Sequence, residues 1–308
     1  MPSFPPEFPD EVDDTRFDTV ITGTAGNDWM RGTPLRDHIL GLDGDDLLNG
    51  NQGADTIEGG AGNDTLIGGL GIDTLIGGEG DDLYILNYAG DTIIDSSGTD
   101  TVRSAINLDL NSFTGIERFE FVSNHTLTAI GTAGADIISM SSSRGRVDAG
   151  AGDDTLTGDD TGSEVFIGGL GRDVMDGGGR DYGPPFFGDY NVSDRFDFVT
   201  IADSAVGAQR DLILNFVPDA NQDTTTDKIH LGLIDANTER AGNQAFSFID
   251  GDFTGTPGEL LVTTLDFADD SLDRQIVSGD VDGDGLADFE IEVQTEFSAH
   301  LTAGDFIL

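Results

Sequence analysis

From residue 23 to residue 103 an apolar side chain returns at every ninth position: Met30, Ile39, Leu48, Ile57, Leu66, Leu75, Tyr84, Ile93 and Val102. Two residues before each stands an aspartate, Asp28, Asp37, Asp46, Asp55, Asp64, Asp73, Asp82, Asp91 and Asp100, and the phase does not slip. The stretch "GGAGNDTLIGGLGIDTLIGG", residues 59–78, is two copies of Gly-Gly-x-Gly-x-Asp-x-apolar-x. The pattern predicts a short strand that turns its apolar residue inward, then a glycine-rich turn. So small a unit cannot bury its own apolar face, and its copies must stack. Two repeats then make one coil of 18 residues.

The rest of the chain departs from this pattern by degrees. Residues 1–22 are rich in proline and acid and read as a flexible lead-in. Residues 104–130 lose glycine and gain apolar alternation, which predicts connecting strands that continue or cap the stack. A degenerate second block covers 131–185, with Asp136, then Asp154 eighteen residues on, then Asp173 after a one-residue insertion. Gly145 falls where an aspartate belongs, which predicts a lost site. From 186 to 308, Phe-rich segments such as "RFDFVTI", "DLILNFV", "AFSFI" and "DFEIEV" alternate between polar turns and predict a compact antiparallel β cap. The fold expected is all-β.

Composition narrows the partners. The chain has 308 residues, 44 of them glycine, and 59 acidic against 14 basic residues give a net charge of -45. Nucleic acid and anionic membranes need Lys and Arg to displace counterions, and here Lys228 is the only lysine. Cations are the natural partners. With no cysteine, disulfides and thiolate metal sites are excluded. No stretch approaches the roughly 18 consecutive apolar residues of a membrane helix, and the opening residues lack a secretory signal's basic and apolar regions.

The in-phase aspartates point to a divalent ion. In an 18-residue coil Asp46 stacks on Asp64 and Asp55 on Asp73, one strand spacing or about 4.8 Å apart. At an effective dielectric near 20, two bare charges at that distance repel by roughly 3.5 kcal/mol. Calcium prefers oxygen ligands at about 2.3–2.6 Å, so oxygens on opposite sides of one ion span a similar gap. Magnesium's shorter bonds fit it less well, and zinc favours His or Cys. Glycine at positions one, two and four allows positive φ and close approach, so that carbonyl oxygens can turn toward an ion. Seven of the nine repeats of the first block keep glycine at position four.

On these motifs residues 23–103 and 131–182 resemble the calcium-binding RTX (hemolysin-type) nonapeptide repeat. The resemblance implies a right-handed parallel β-roll holding several Ca2+ ions between aspartates of turns 18 residues apart and turn carbonyls. The implied ligands are Asp28, Asp37, Asp46, Asp55, Asp64, Asp73 and Asp82, then Asp91, Asp100, Asp136, Asp154 and Asp173, where the motif is less complete. The turn glycines beside them are Gly44, Gly53, Gly60, Gly62, Gly69, Gly71, Gly78 and Gly80 in the first block and Gly152, Gly169 and Gly171 in the second. The segments "RDLILNFVPDANQDTTTDKIHLGLIDAN", "GNQAFSFI", "IVSGDVDGDGLADFEIEV" and "LTAGDFIL" are similar to the region after the β-roll in serralysin-type metalloproteases. That similarity implies a cap and an uncleaved C-terminal signal, ending Asp305-Phe306-Ile307-Leu308, for the type I secretion apparatus. A secreted, extracellular protein that folds on calcium follows as the expectation.

An enzyme is not expected. The serralysin zinc motif HExxH is missing, and His38, His125, His230 and His300 are scattered, with His38 reading as an outward strand residue. There is neither a GxSxG elbow nor a GxxxxGK loop. The alternative to a free-standing calcium-binding protein is the C-terminal region of an exoenzyme separated from its catalytic part. A membrane-inserting toxin is disfavoured by the lack of an apolar helix. In "DVDGDGLAD", residues 280–288, Asp280, Asp282 and Asp284 imitate an EF-hand, but Ile291 replaces the closing glutamate, so a tight Gly-Asp turn is expected before a weak calcium site. Sequence names no extracellular or cell-surface ligand.

Overall fold

The computed structural model describes residues 17–123, 125–141, 144–159, 162–178, 193–218, 226–265, 274–295 and 300–308. The predicted lead-in lies mostly outside them. The described residues contain no α-helix, only short 3-10 turns such as Leu110–Ser112, and none is a helix long and apolar enough to cross a membrane. The chain is an all-β parallel solenoid ending in an antiparallel region, and it divides into two compact units, Met1–Gly98 and Thr99–Leu308.

In the first unit the strands are β1 (Thr19–Thr22), β2 (Trp29–Arg31), β3 (Asp37–Asp43), β4 (Leu47–Asn49), β5 (Thr56–Ala61), β6 (Thr65–Ile67), β7 (Thr74–Glu79), β8 (Leu83–Leu86) and β9 (Thr92–Ile94). They alternate between two parallel sheets, β1-β3-β5-β7-β9 and β2-β4-β6-β8. The register puts Ile39, Ile57, Leu75 and Ile93 in one column and Met30, Leu48, Leu66 and Tyr84 in the other. Apart from the half-buried Met30 these are all buried, so the one apolar residue of each repeat supplies the core. Burying such side chains contributes about 1.5–3 kcal/mol each.

The second unit holds β10 (Thr101–Ser104), β11 (Leu108–Asp109), β12 (Arg118–Phe121), β13 (Thr126–Ile130), β14 (Ile137–Ser139), β15 (Arg144–Ala151), β16 (Thr155–Thr157), β17 (Glu164–Leu170), β18 (Val174–Asp176), β19 (Arg195–Asp197), β20 (Asp211–Phe216), β21 (Lys228–His230), β22 (Ser247–Phe248), β23 (Glu259–Leu265), β24 (Arg274–Asp280), β25 (Phe289–Thr295) and β26 (Phe306–Ile307). Its strands continue the two-sheet plan as β10-β12-β14-β16-β18-β20-β25-β24-β23-β22 and β11-β13-β15-β17-β19-β21-β26. The predicted connecting strands of 104–130 are thus rungs of the coil.

The region from 186 onward is not antiparallel throughout. Among the described residues only β23, β24 and β25 pair antiparallel, whereas β19, β20, β21 and β26 join in parallel. The apolar column continues through them from Phe166 to Phe196, Ile229 and Phe306 in one sheet and from Met175 to Ile213 in the other. Phe166 and Phe196 stack with centroids 5.8 Å apart. What persists through Phe196, Ile213 and Ile229 is the rung, a carboxylate and then an inward apolar residue two positions on, while the chain between rungs grows longer; at Phe306 Gly304 takes the carboxylate's place.

Candidate metal centre

In the repeat rungs the aspartate sits where the turn enters the strand, and its two oxygens part ways. The Oδ1 atom accepts the backbone N–H of the aspartate one coil earlier. Along one edge of the first unit Asp28 donates to Asp46 at 2.7 Å, Asp46 to Asp64 at 2.8 Å and Asp64 to Asp82 at 2.8 Å. Along the other, Asp37 donates to Asp55 at 2.8 Å, Asp55 to Asp73 at 2.8 Å and Asp73 to Asp91 at 3.0 Å. The second unit repeats the arrangement from Asp136 to Asp154 at 2.7 Å and from Asp154 to Asp173 at 2.9 Å. The carboxylates are therefore not stacked bare, as the sequence geometry has them; each is tied to the neighbouring backbone.

The Oδ2 atom is the chemically telling one. In Asp46, Asp55, Asp64, Asp73, Asp91, Asp154 and Asp173 it is buried and no donor reaches it. An oxygen so placed costs about 1–3 kcal/mol, more when charged, and native structures avoid it. The first aspartate of each ladder differs. Thr24, Thr33 and Thr132 donate their backbone N–H to Oδ2 of Asp28, Asp37 and Asp136 at 2.6, 2.6 and 2.7 Å. Asp100 keeps the ladder without the repeat, its N–H reaching Glu117 Oε2 at 2.8 Å.

Glycine makes room for this. Gly44, Gly53, Gly62, Gly71, Gly80, Gly152 and Gly171 at position four and Gly60, Gly69, Gly78 and Gly169 at position two all have positive φ, between 96° and 153°. Position one does a different job. Gly59 has no positive φ, yet a Cβ there would collide with Asp64 Oδ2 and lie 2.8 Å from the Gly77 carbonyl oxygen of the next coil. The equivalent oxygens, Asp46 Oδ2 with the Gly59 carbonyl and Asp55 Oδ2 with the Gly68 carbonyl, crowd Gly41 and Gly50. Carboxylate and carbonyl oxygens thus converge on one small space, the donor set a hard divalent cation takes.

Besides Glu117, four ladder carboxylates escaped the sequence pattern. Asp173 donates its N–H to Asp211 Oδ1 at 2.8 Å across 38 residues. On the opposite edge Glu164 donates to Asp194 across 30 residues at 2.8 Å, and Asp194 to Asp227 across 33 residues at 2.9 Å. Their loops are too long for a nine-residue ruler. The surviving signal was the acid two positions before a buried residue: Glu164 before Phe166, Asp194 before Phe196, Asp211 before Ile213 and Asp227 before Ile229. Gly145, which predicts a lost site, pairs with Glu164 on this edge. An outer ladder was missed too: Asn27, Asp45 and Asn63 accept the N–H of Asp45, Asn63 and Asp81 at 2.9–3.0 Å on one edge only.

Burial dominates the electrostatics. It pushes Asp55 and Asp154 up to about 7 and Asp64, Asp91 and Asp173 up to about 6, opposed by the ladder hydrogen bonds. It raises Asp46 and Asp73 as well, and takes Asp211 to about 9. Burial and the facing charge of Asp194 raise Glu164 to about 10, and burial and the charge of Asp227 raise Asp194 to about 8. Without a positive partner these groups keep their protons to higher pH than free carboxylates do.

Other candidates are self-contained. In the 280–288 loop, Asp280 Oδ1 and Oδ2 accept the N–H of Gly283 and Gly285 at 2.6 and 2.9 Å, and Asp288 Oδ2 accepts that of Val281 at 2.6 Å. The carboxylates of Asp280, Asp282 and Asp288 come within 4.8 Å of one another, but backbone donors already hold them, as the tight-turn reading has it. His38 Nε2 lies 2.7 Å from Glu58.

A family model described as the RTX calcium-binding nonapeptide repeat matches residues 15–34, 22–57, 31–66, 58–87, 144–161 and 159–182. These segments are similar to RTX calcium-binding repeats. The matched segments contain Asp28 through Asp82, Asp154 and Asp173, while Asp91, Asp100 and Asp136 fall outside them. No curated protein matches the chain. Among solved structures, the solution structure of the AlgE6R3 subunit of the Azotobacter vinelandii mannuronan C5-epimerase matches 59% of this chain and 78% of its own at 24% identity, with a TM-score of 0.32.

Proposed function

We propose that the chain is a secreted, non-catalytic calcium-binding protein whose RTX coils fold on extracellular calcium after export by a type I apparatus that reads its C-terminal residues. The observation that carries this reading is the row of buried Oδ2 atoms without a donor in Asp46, Asp55, Asp64, Asp73, Asp91, Asp154 and Asp173. With 14 basic residues against 59 acidic, the chain has few cations of its own to offer them. Calcium bound between each Oδ2 and the turn carbonyls would satisfy both. Asp28, Asp37 and Asp136, whose Oδ2 atoms already accept a threonine N–H, would contribute less.

Extracellular calcium modules bind with dissociation constants around 10⁻⁴ to 10⁻³ M, and each site at tenfold excess adds about 1.4 kcal/mol to the folded state. Several sites outweigh the repulsion of a chain with net charge -45. In calcium-poor cytosol the same repulsion would keep the chain expanded for export. Extracellular placement accords with RTX-repeat proteins generally. Asp305 is buried in a capping box with Thr302, and Phe306 pairs with Ile229, so an export signal here would be legible only before folding.

The test is far-UV circular dichroism of the full chain in chelator and in about 10 mM calcium, tenfold or more above those constants. A gain of strand signal on adding calcium is expected. Identical spectra would refute the proposal.

A further inference from the structure

The strongest unassigned feature is a carboxylate pair in the second unit that belongs to no complete nonapeptide. Glu164 is 1% exposed, and no N–H or hydroxyl donor reaches its carboxylate oxygens, whose side-chain partner is the Asp194 carboxyl group. Its backbone N–H is held by Asp194 Oδ1 at 2.8 Å, and the Asp194 N–H is held by Asp227 at 2.9 Å, so the pair sits rigidly in the ladder. The surroundings reproduce those of a repeat. A Cβ on Gly158 would lie 2.9 Å from Glu164 Oε2 and 2.8 Å from the Gly177 carbonyl oxygen, as one on Gly59 would meet Asp64 Oδ2 and the Gly77 carbonyl. A Cβ on Gly177 would lie 2.5 Å from Asp194 Oδ2, as one on Gly68 would lie 2.6 Å from Asp73 Oδ2. The glycine, carboxylate and carbonyl are therefore all present, although six residues separate Gly158 from Glu164 and 17 separate Gly177 from Asp194, where a repeat has five.

We propose that Glu164 and Asp194, with the Gly177 carbonyl, form a calcium site of their own that departs from the Gly-Gly-x-Gly-x-Asp spacing, although Glu164 and Gly177 lie within the matched segment 159–182, and that it joins two rungs whose carboxylates are 30 positions apart. Glutamate suits this position because its extra methylene spans the longer turn and both of its oxygens are available to one ion. Calcium's tolerance of irregular, partly bidentate oxygen sets makes it the ion for such a site. The inference rests on the calcium reading of the repeats for the identity of the ion, but it uses none of their aspartates.

The test counts calcium ions bound to the full-length chain by equilibrium dialysis for wild type, Glu164→Gln, Asp194→Asn and the double variant, with Asp64→Asn as a repeat control. Each single variant should bind one ion fewer than wild type, and the double variant no fewer than either single one, because the two residues share one ion. An unchanged count in Glu164→Gln and Asp194→Asn, with Asp64→Asn still impaired, overturns this site and leaves the repeat reading standing. Loss of several ions in either single variant also overturns it, since the pair then supports the coil without an ion of its own. A wild type that binds no calcium overturns both.

Discussion

At Asp64 the two carboxylate oxygens have separate tasks: Oδ1 holds the Asp46 N–H at 2.8 Å, and Oδ2 waits, buried, beside the Gly77 carbonyl. Asp64→Asn keeps an oxygen for the first task and removes the charge from the second. The calcium midpoint of folding should rise several-fold, and more than in Asp28→Asn, where Thr24 already serves Oδ2 and the residue is half-buried. Equal midpoints for the two variants would contradict this division of labour. Glycine gives an independent check. Gly59→Ala should lower the stability of the calcium-saturated protein by about 1–3 kcal/mol through overpacking, read as a drop in thermal midpoint. Gly26→Ala, where an added Cβ meets nothing within 4 Å, should be close to neutral.

The element that repeats is the rung, and its titration can be read as a whole. Unfolded, these aspartates have an ordinary value of 3.8; folded and metal-free, Asp64 and Asp173 sit at about 6 and Asp55 and Asp154 at about 7. The folded form therefore keeps protons that the unfolded form releases. That contribution is complete below pH 3.8 and is lost as pH rises through 6 to 7. Chelated protein should accordingly gain strand signal when the pH is lowered from about 8 to about 5, and calcium added near pH 6 should release protons. Loss of strand on acidification in that window would contradict the prediction. The same rung explains what was legible in the sequence. Nine-residue glycine spacing exposed the rungs at Asp28 through Asp100, because there turn and strand have constant length. Asp194, Asp211 and Asp227 follow excursions of 30–38 residues, and alternation in "RFDFVTI" and "DLILNFV" reads as antiparallel when nothing in the local residues says which edge the loop returns to. The glycines were legible in place but not in role, since close approach at position one and positive φ at positions two and four leave the same letter.

For the whole molecule, a net charge of -45 opposes compaction, and the first unit buries little beyond a narrow column of apolar residues to offset it. Ion choice should therefore govern folding. Magnesium at the calcium concentration that saturates the strand signal should leave the chain substantially unfolded, because its shorter bonds and strict octahedral geometry suit these turns less well. Equal folding by both ions would make charge screening, not ligation, the cause. The most direct test is a crystal structure of the full chain grown in millimolar calcium. Ions are predicted about 2.3–2.6 Å from the Oδ2 atoms of buried ladder aspartates such as Asp64, each shared with a turn carbonyl of the adjoining coil. Those Oδ2 atoms hydrogen-bonded to protein or water donors, with no ion beside them, would contradict the account.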